Sequence, residues 1–178
     1  MSTRVLFVHG AGAGTFAGSR PLVESLRREL GDGFDVHYPE LPHEDEPDPV
    51  EWAGIIAEQS AGAVVVAHSV GASIALKHFS ETGGENLLGL FAIAAPFWGG
   101  EGWHYDGYHA LELPRSPLII APLFLYQGRD DEVVPVDHLD LFAQAFPTAA
   151  TEVIEGVGHD LGNDASPVAR GIRALVGA

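Results

Sequence analysis

The chain contains no cysteine, a single lysine (Lys77), and no apolar run near the ~20 residues needed to cross a bilayer. The absence of cysteine excludes disulfides, thiolate metal sites and a cysteine nucleophile, so any covalent catalysis must use another residue. Basic residues are scarce: 9 Lys and Arg stand against 25 Asp and Glu, for a formal net charge of −16. Such a surface repels phosphate backbones and anionic headgroups, which makes nucleic acid and membranes poor partners. The N-terminal stretch "MSTRVLFVHGAGAG" has too short an apolar segment and too weak a basic flank for a secretory signal. It reads as the first strand of a mature cytoplasmic protein.

What is present is an ordinary globular balance, 46% hydrophobic and 19% charged residues over 178 positions. That length fits one domain, residues 1–178, with a sizeable core. Short apolar runs recur, each too brief for a helix and closed by Gly, Pro or Asp: residues 4–8, 34–38, 63–67, 87–95, 122–127 and 151–155. Helical spacing lies between most of them. "RPLVESLRREL" sets Leu22, Leu26 and Leu30 on one stripe, and "DPVEWAGIIAEQ" opens with Asp48 as N-cap and Pro49 in the first turn. "SPVARGIRALV" repeats that opening with Ser166 and Pro167. Strands alternating with helices predict βαβ units. The expected fold is a three-layer α/β/α sandwich around a mainly parallel sheet of about six strands.

Three loops carry the chemistry. In "AVVVAHSVGASIAL" a serine, Ser69, stands where a buried strand meets a helix, with Ala67 two residues before it and Gly71 two after. This small-His-Ser-Val-Gly pattern fits a sharp strand-to-helix turn that lifts a hydroxyl above the sheet at the positive end of a helix. Alone it equally describes a serine capping an ordinary helix. "VHGAGAG" after the first strand leaves backbone N–H groups free for an oxyanion, Ala11 first and Gly12 next, opposite the N–H of Val70. A dinucleotide-binding turn competes there, but its third glycine would fall near Phe16 and no acid clearly ends the next strand. "YQGRDDEVVPVDH" offers Asp130 and Asp131; the spacing from Gly128 and from Val134-Pro135 selects Asp131, with Asp130 in reserve. "EGVGHDLGND" places His159 between turn residues after the sixth strand.

With "VHGAG", "YPELP", Trp52, "VVVAHSVGASIAL", "GRDDEVVP" and "GVGHDL" in this order, the chain resembles the α/β-hydrolases. Within them it is similar to the compact, retinoblastoma-binding-protein-like serine hydrolases, a resemblance that implies a minimal fold with no large cap domain. The resemblance runs from Val5 to about Val176 and departs from the common Gly-x-Ser-x-Gly elbow at Ala67. It implies Ser69 as nucleophile, His159 as base and Asp131 as orienting acid, with Ala11 and Val70 as oxyanion donors. The natural substrate does not carry over with the resemblance; a triad so arranged is expected to attack a small ester-like molecule, thioesters and amides included, and calls for no metal or organic cofactor. Two alternatives use the same residues: a non-catalytic binding or scaffold protein, and an acyl transferase or perhydrolase.

Other polar residues have blander readings. His9 and His68 are expected to brace backbone groups, and "HEDEPDP" (residues 43–49) to be a solvated surface loop rather than a metal site. The stretch Pro96 to Pro117 is rich in Gly and aromatics. Phe97, Trp98, Trp103, Tyr105 and Tyr108 there suit either an acyl pocket or lid, or packing onto the sheet, and His104, Asp106 and His109 are candidates for the substrate entrance.

Overall fold

The computed structural model describes residues 2–104 and 108–177. Six strands form one all-parallel sheet: β1 (Thr3–Val8), β2 (Phe34–His37), β3 (Val64–His68), β4 (Gly89–Ile93), β5 (Leu123–Gly128) and β6 (Ala150–Ile154). Their order is β2-β1-β3-β4-β5-β6. Six α-helices accompany them: α1 (Thr15–Gly18), α2 (Arg20–Leu30), α3 (Pro49–Ser60), α4 (Ser69–Thr82), α5 (Asp137–Ala145) and α6 (Ser166–Val176). No cap domain sits over the sheet in the described residues.

The alternation of strand side chains divides the core in two. Leu6, Val8, Val65 and Leu90 face α3, α4 and α5, where Trp52, Ile56, Leu76 and Phe142 meet them. Val5, Phe7, Val64, Val66 and Phe91 face α2 and α6, where Leu22, Leu26, Val168 and Ile172 meet them. Strands buried on both faces explain the continuous apolar runs in the sequence. Burying a side chain such as Phe7 or Ile56 completely contributes about 1.5–3 kcal/mol.

The helix ends follow expectation with one exception. Asp48 caps α3, accepting from the amides of Val50 and Glu51. Ser166, expected as a cap, is instead the first residue of α6, and the Asp164 carboxylate takes its amide at 2.9 Å. The Asp164 carboxylate thus satisfies the amide of the first helical residue, and Ala165 stands at the cap position without a side-chain cap.

One topological feature places the site. From β1 the chain moves to β2 on one side and then crosses back to β3 on the other. The exits of β1 and β3 therefore splay apart, leaving a crevice at their C-terminal ends.

Candidate active site

Ser69 occupies that crevice. It has a φ of 54°, in the left-handed region that a residue with a side chain enters only when its surroundings enforce it. The enforcement is visible: a Cβ at Gly71 would collide with the carbonyl oxygen of His9, and one at Gly10 would lie 3.0 Å from the Ser69 Cβ. The helix after the serine thus packs on the exit of β1, and only glycine allows that approach. Ala67, the departure from the common elbow pattern, is fully buried beside Val8 of β1, where its methyl joins the core.

The other two predicted side chains converge on the serine. His159 Nε2 lies 3.0 Å from Ser69 Oγ, and His159 Nδ1 lies 2.8 Å from Asp131 Oδ2. An ionised carboxylate only accepts, so Nδ1 carries the proton and Nε2 presents its lone pair to the hydroxyl. The Asp131 side chain has no solvent exposure. Its Oδ1 accepts from the amides of Val133 and Val134, both at 2.8 Å, and its Oδ2 also accepts from Gln127 Nε2 at 2.7 Å. Asp130 is exposed, and its amide is spent on Val157 O. The two adjacent acids are thereby distinguished: Asp131 meets the imidazole.

The loop bearing His159 is pinned from below. His68 Nε2 lies 2.9 Å from the carbonyl oxygen of His159 and donates to it, and the two rings are 4.7 Å apart. Burial first, and the neighbouring His159 second, push the His68 imidazole down to about 4, so it is neutral near pH 7. Its Nδ1 is buried without a partner. His9 is equally a brace. Its Nε2 accepts the Leu41 amide at 3.0 Å, which leaves Nδ1 to donate to Gly10 O at 2.8 Å. Burial lowers its pKa too.

That last bond has a consequence for Ala11. In a trans peptide C=O and N–H point opposite ways. Drawing the Gly10 carbonyl toward His9 turns the Ala11 N–H away from it, and no described backbone group accepts that amide. Val70 lies in the first turn of α4, whose N–H groups have no intrahelical acceptor. Ser69, His68 and His159 share a cleft of about 250 Å³ with Gly10, Ala11, Ser19 and Val133.

Sequence reading missed two participants. Gln127 is a buried amide one residue before the end of an otherwise apolar strand, and that exception to the pattern was the available signal. Glu44 lies in the loop expected to be solvated, yet its carboxylate accepts from the amides of Gly14 and Phe16. The aromatic segment packs down rather than standing over the site. Trp98 is buried, stacks on Tyr108 at 4.7 Å and meets Trp103 edge-on at 5.6 Å, and Phe97 meets Phe142. His138 Nδ1 holds the Phe97 amide at 2.8 Å. His104 is exposed, beside Gly100 O. Tyr105, Asp106 and the side chain of His109 lie outside the described residues. Among the described residues, no group of three His, Asp or Glu is placed to hold a metal ion, and no helix is long and apolar enough to cross a membrane.

Comparison with known proteins agrees with this architecture. Residues 5–119 match the model of the alpha/beta hydrolase family, a span that includes Ser69 and ends before Asp131 and His159. No curated protein matches the chain in sequence. Among solved structures it is similar to the ydeN gene product of B. subtilis, at 18% identity and a TM-score of 0.71, over 99% of this chain and 100% of that one. It is similar to the esterase domain of a Rhodothermus marinus protein, at 17% identity and a TM-score of 0.72, over 98% and 86%. It is also similar to 2-hydroxy-6-oxo-6-phenylhexa-2,4-dienoate hydrolase of Rhodococcus sp. strain RHA1, at 16% identity and a TM-score of 0.74, over 99% and 91%. At such identities the likeness to these structures is one of fold. The family match covers more than half of the sequence, and the chain belongs to the alpha/beta hydrolase family.

Proposed function

We propose that the protein is a serine hydrolase that cleaves small carboxylic esters, with thioesters and amides as related substrates, through an acyl-enzyme on Ser69. The observation that carries the reading is the unbroken hydrogen-bonded line from Ser69 Oγ through the His159 ring to Asp131 Oδ2, at 3.0 and 2.8 Å. His159 Nε2 takes the hydroxyl proton as Oγ attacks the substrate carbonyl, and Nδ1–H keeps its bond to Asp131, which stabilises the imidazolium. The amides of Ala11 and Val70 receive the developing oxyanion. The imidazolium then protonates the leaving group, and a water, deprotonated by the same Nε2, releases the acyl group.

The cleft of about 250 Å³ favours a small substrate. Length and the six-stranded sheet, uncapped among the described residues, support likening the chain to the compact, retinoblastoma-binding-protein-like members and reading residues 1–178 as one domain. A fluorophosphonate probe tests the reading directly. Wild type is expected to be labelled at Ser69 and to hydrolyse p-nitrophenyl acetate, with both lost in Ser69→Ala. Folded wild type that takes no label and turns over no ester would make the protein a binder on a hydrolase fold.

A further inference from the structure

The acidic loop between β2 and α3 does not simply face water. His43 has a φ of 54°, a left-handed turn that swings Glu44 toward the loop leaving β1. Glu44 Oε1 accepts the Gly14 amide at 2.7 Å; Oε2 accepts the Phe16 amide at 2.7 Å and lies 3.0 Å from Thr15 Oγ1. The main-chain oxygen of Glu44 also accepts the Gly12 amide. The donated amides, Phe16 first, hold the Glu44 carboxyl below its usual range, so it is ionised near neutrality. Thr15 Oγ1 is also 2.9 Å from Gly10 O and 2.8 Å from Gly12 O, and it shares its one proton among the three acceptors.

These bonds bracket Ala11. The peptide before it is held through the Gly10 carbonyl, and the peptide after it through the Gly12 amide. The second hold is the Glu44 main-chain oxygen, kept in place by the carboxylate's bonds to Gly14 and Phe16, and the same carboxylate supports Thr15, which serves the first. The acid's own loop is anchored in turn, by Leu41 N on His9 and by Trp52 Nε1 on Pro42 O at 2.7 Å. Building on the serine-hydrolase reading above, we infer that Glu44 is a positioning residue for the oxyanion site, latching the loop 10–16 so that the Ala11 amide stays aimed at the oxygen of the carbonyl attacked by Ser69. Glu44 touches no substrate. Its effect is carried by the direction of one N–H, and a donor aimed at the oxyanion acts on the transition state more than on bound substrate.

The test pairs steady-state hydrolysis of p-nitrophenyl acetate with binding of methylboronic acid, whose adduct on a serine is tetrahedral. Glu44→Gln keeps one acceptor oxygen but turns an NH2 toward an amide donor. It is expected to lower kcat by about tenfold or more, less than the 10²–10³ of outright donor loss. KM should stay within about threefold, and boronate affinity should fall by the same factor as kcat/KM. Glu46→Gln removes an exposed charge from the same loop and should leave kcat unchanged. Thr15→Val should repeat the loss and Thr15→Ser restore it, a pair that decides the matter if Glu44→Gln does not fold. A folded Glu44→Gln with wild-type kcat, a kcat loss without a matching loss of boronate affinity, or a fully active Thr15→Val overturns the inference. Wild type inert to both ester and boronate would instead bring down the underlying hydrolase reading, and this inference with it.

Discussion

Two glycine-rich segments leave the same edge of the sheet and are held in different ways. The loop after β1 is fixed by directed bonds: His9, Thr15 and Glu44 occupy its carbonyls and amides one by one. The segment after β4 has directed bonds too, Ser73 on Pro96 O and His138 on the Phe97 amide, but adds a packed cluster of rings, with Trp98, Trp103, Tyr108, Phe97 and Phe142 in edge and stacked contact. Ring packing fills volume and tolerates small shifts; a chain of hydrogen bonds fixes orientation and tolerates few. Damage to the first kind of region should fall on rate, and damage to the second on stability.

The largest expected effect lies in the directed network. Asp131→Asn puts an amide where the acceptor for His159 Nδ1–H stood, so the imidazole loses the tautomer that presents a lone pair to Ser69. A drop in kcat of about 10⁴ is expected. Asp130→Asn, changing an exposed neighbour, should remain within a few-fold of wild type. Measuring both with one ester and one preparation protocol checks the comparison. Equal losses would mean that the acid acts through general charge and not through the bond to Nδ1.

The aromatic segment should respond in the opposite sense. Trp98→Ala removes a buried indole between Tyr108 and Trp103 and should cost about 3–5 kcal/mol of stability. The remaining enzyme, assayed well below its unfolding midpoint, should keep kcat within a few-fold, because Trp98 is not among the residues lining the cleft of Ser69 and His159. Urea unfolding and ester hydrolysis on the same sample separate the two quantities. Trp98→Phe should be much milder, since the indole N–H it removes has no partner.

The contrast also explains what could be read in advance. The inner strands β1, β3, β4 and β5 were legible because burial on both faces writes nearly uninterrupted apolar runs, the largely exposed edge strands β2 and β6 from short aromatic or β-branched runs between turn residues, and α2 and α6 from their apolar stripes with Pro in the first turn. The convergence of Ser69, Asp131 and His159 was legible because each stands at a strand exit with its own local turn chemistry. Glu44 and Gln127 were not. The bonds of Glu44 go to Gly14 and Phe16, 28 to 30 residues away, and nothing in "HEDEP" distinguishes the acid that turns inward from those that face water. The aromatic segment left two readings open because composition reports ring content and not which way the rings fold.

The smallest effect probes the bond beneath the His159 loop. In the unfolded chain His68 should titrate near 6.5, whereas burial holds it at about 4 in the fold. Between those values the unfolded chain binds a proton that the folded chain refuses, so stability rises with pH there. Above about 6.5 the group contributes no penalty. As pH falls the penalty grows by up to about 1.4 kcal/mol per unit, and it stops growing below the folded value. His9, His78 and His138 are also held low by burial and act in the same direction, so the informative quantity is a difference between variants. His68→Gln keeps a donor for the His159 carbonyl but does not titrate. From pH 7 to pH 5 wild type should lose about 1–2 kcal/mol more than this variant, read from urea midpoints at the two pH values. Equal losses would place the pH sensitivity elsewhere, and would mean that the His159 loop rests on a brace that proton binding does not disturb.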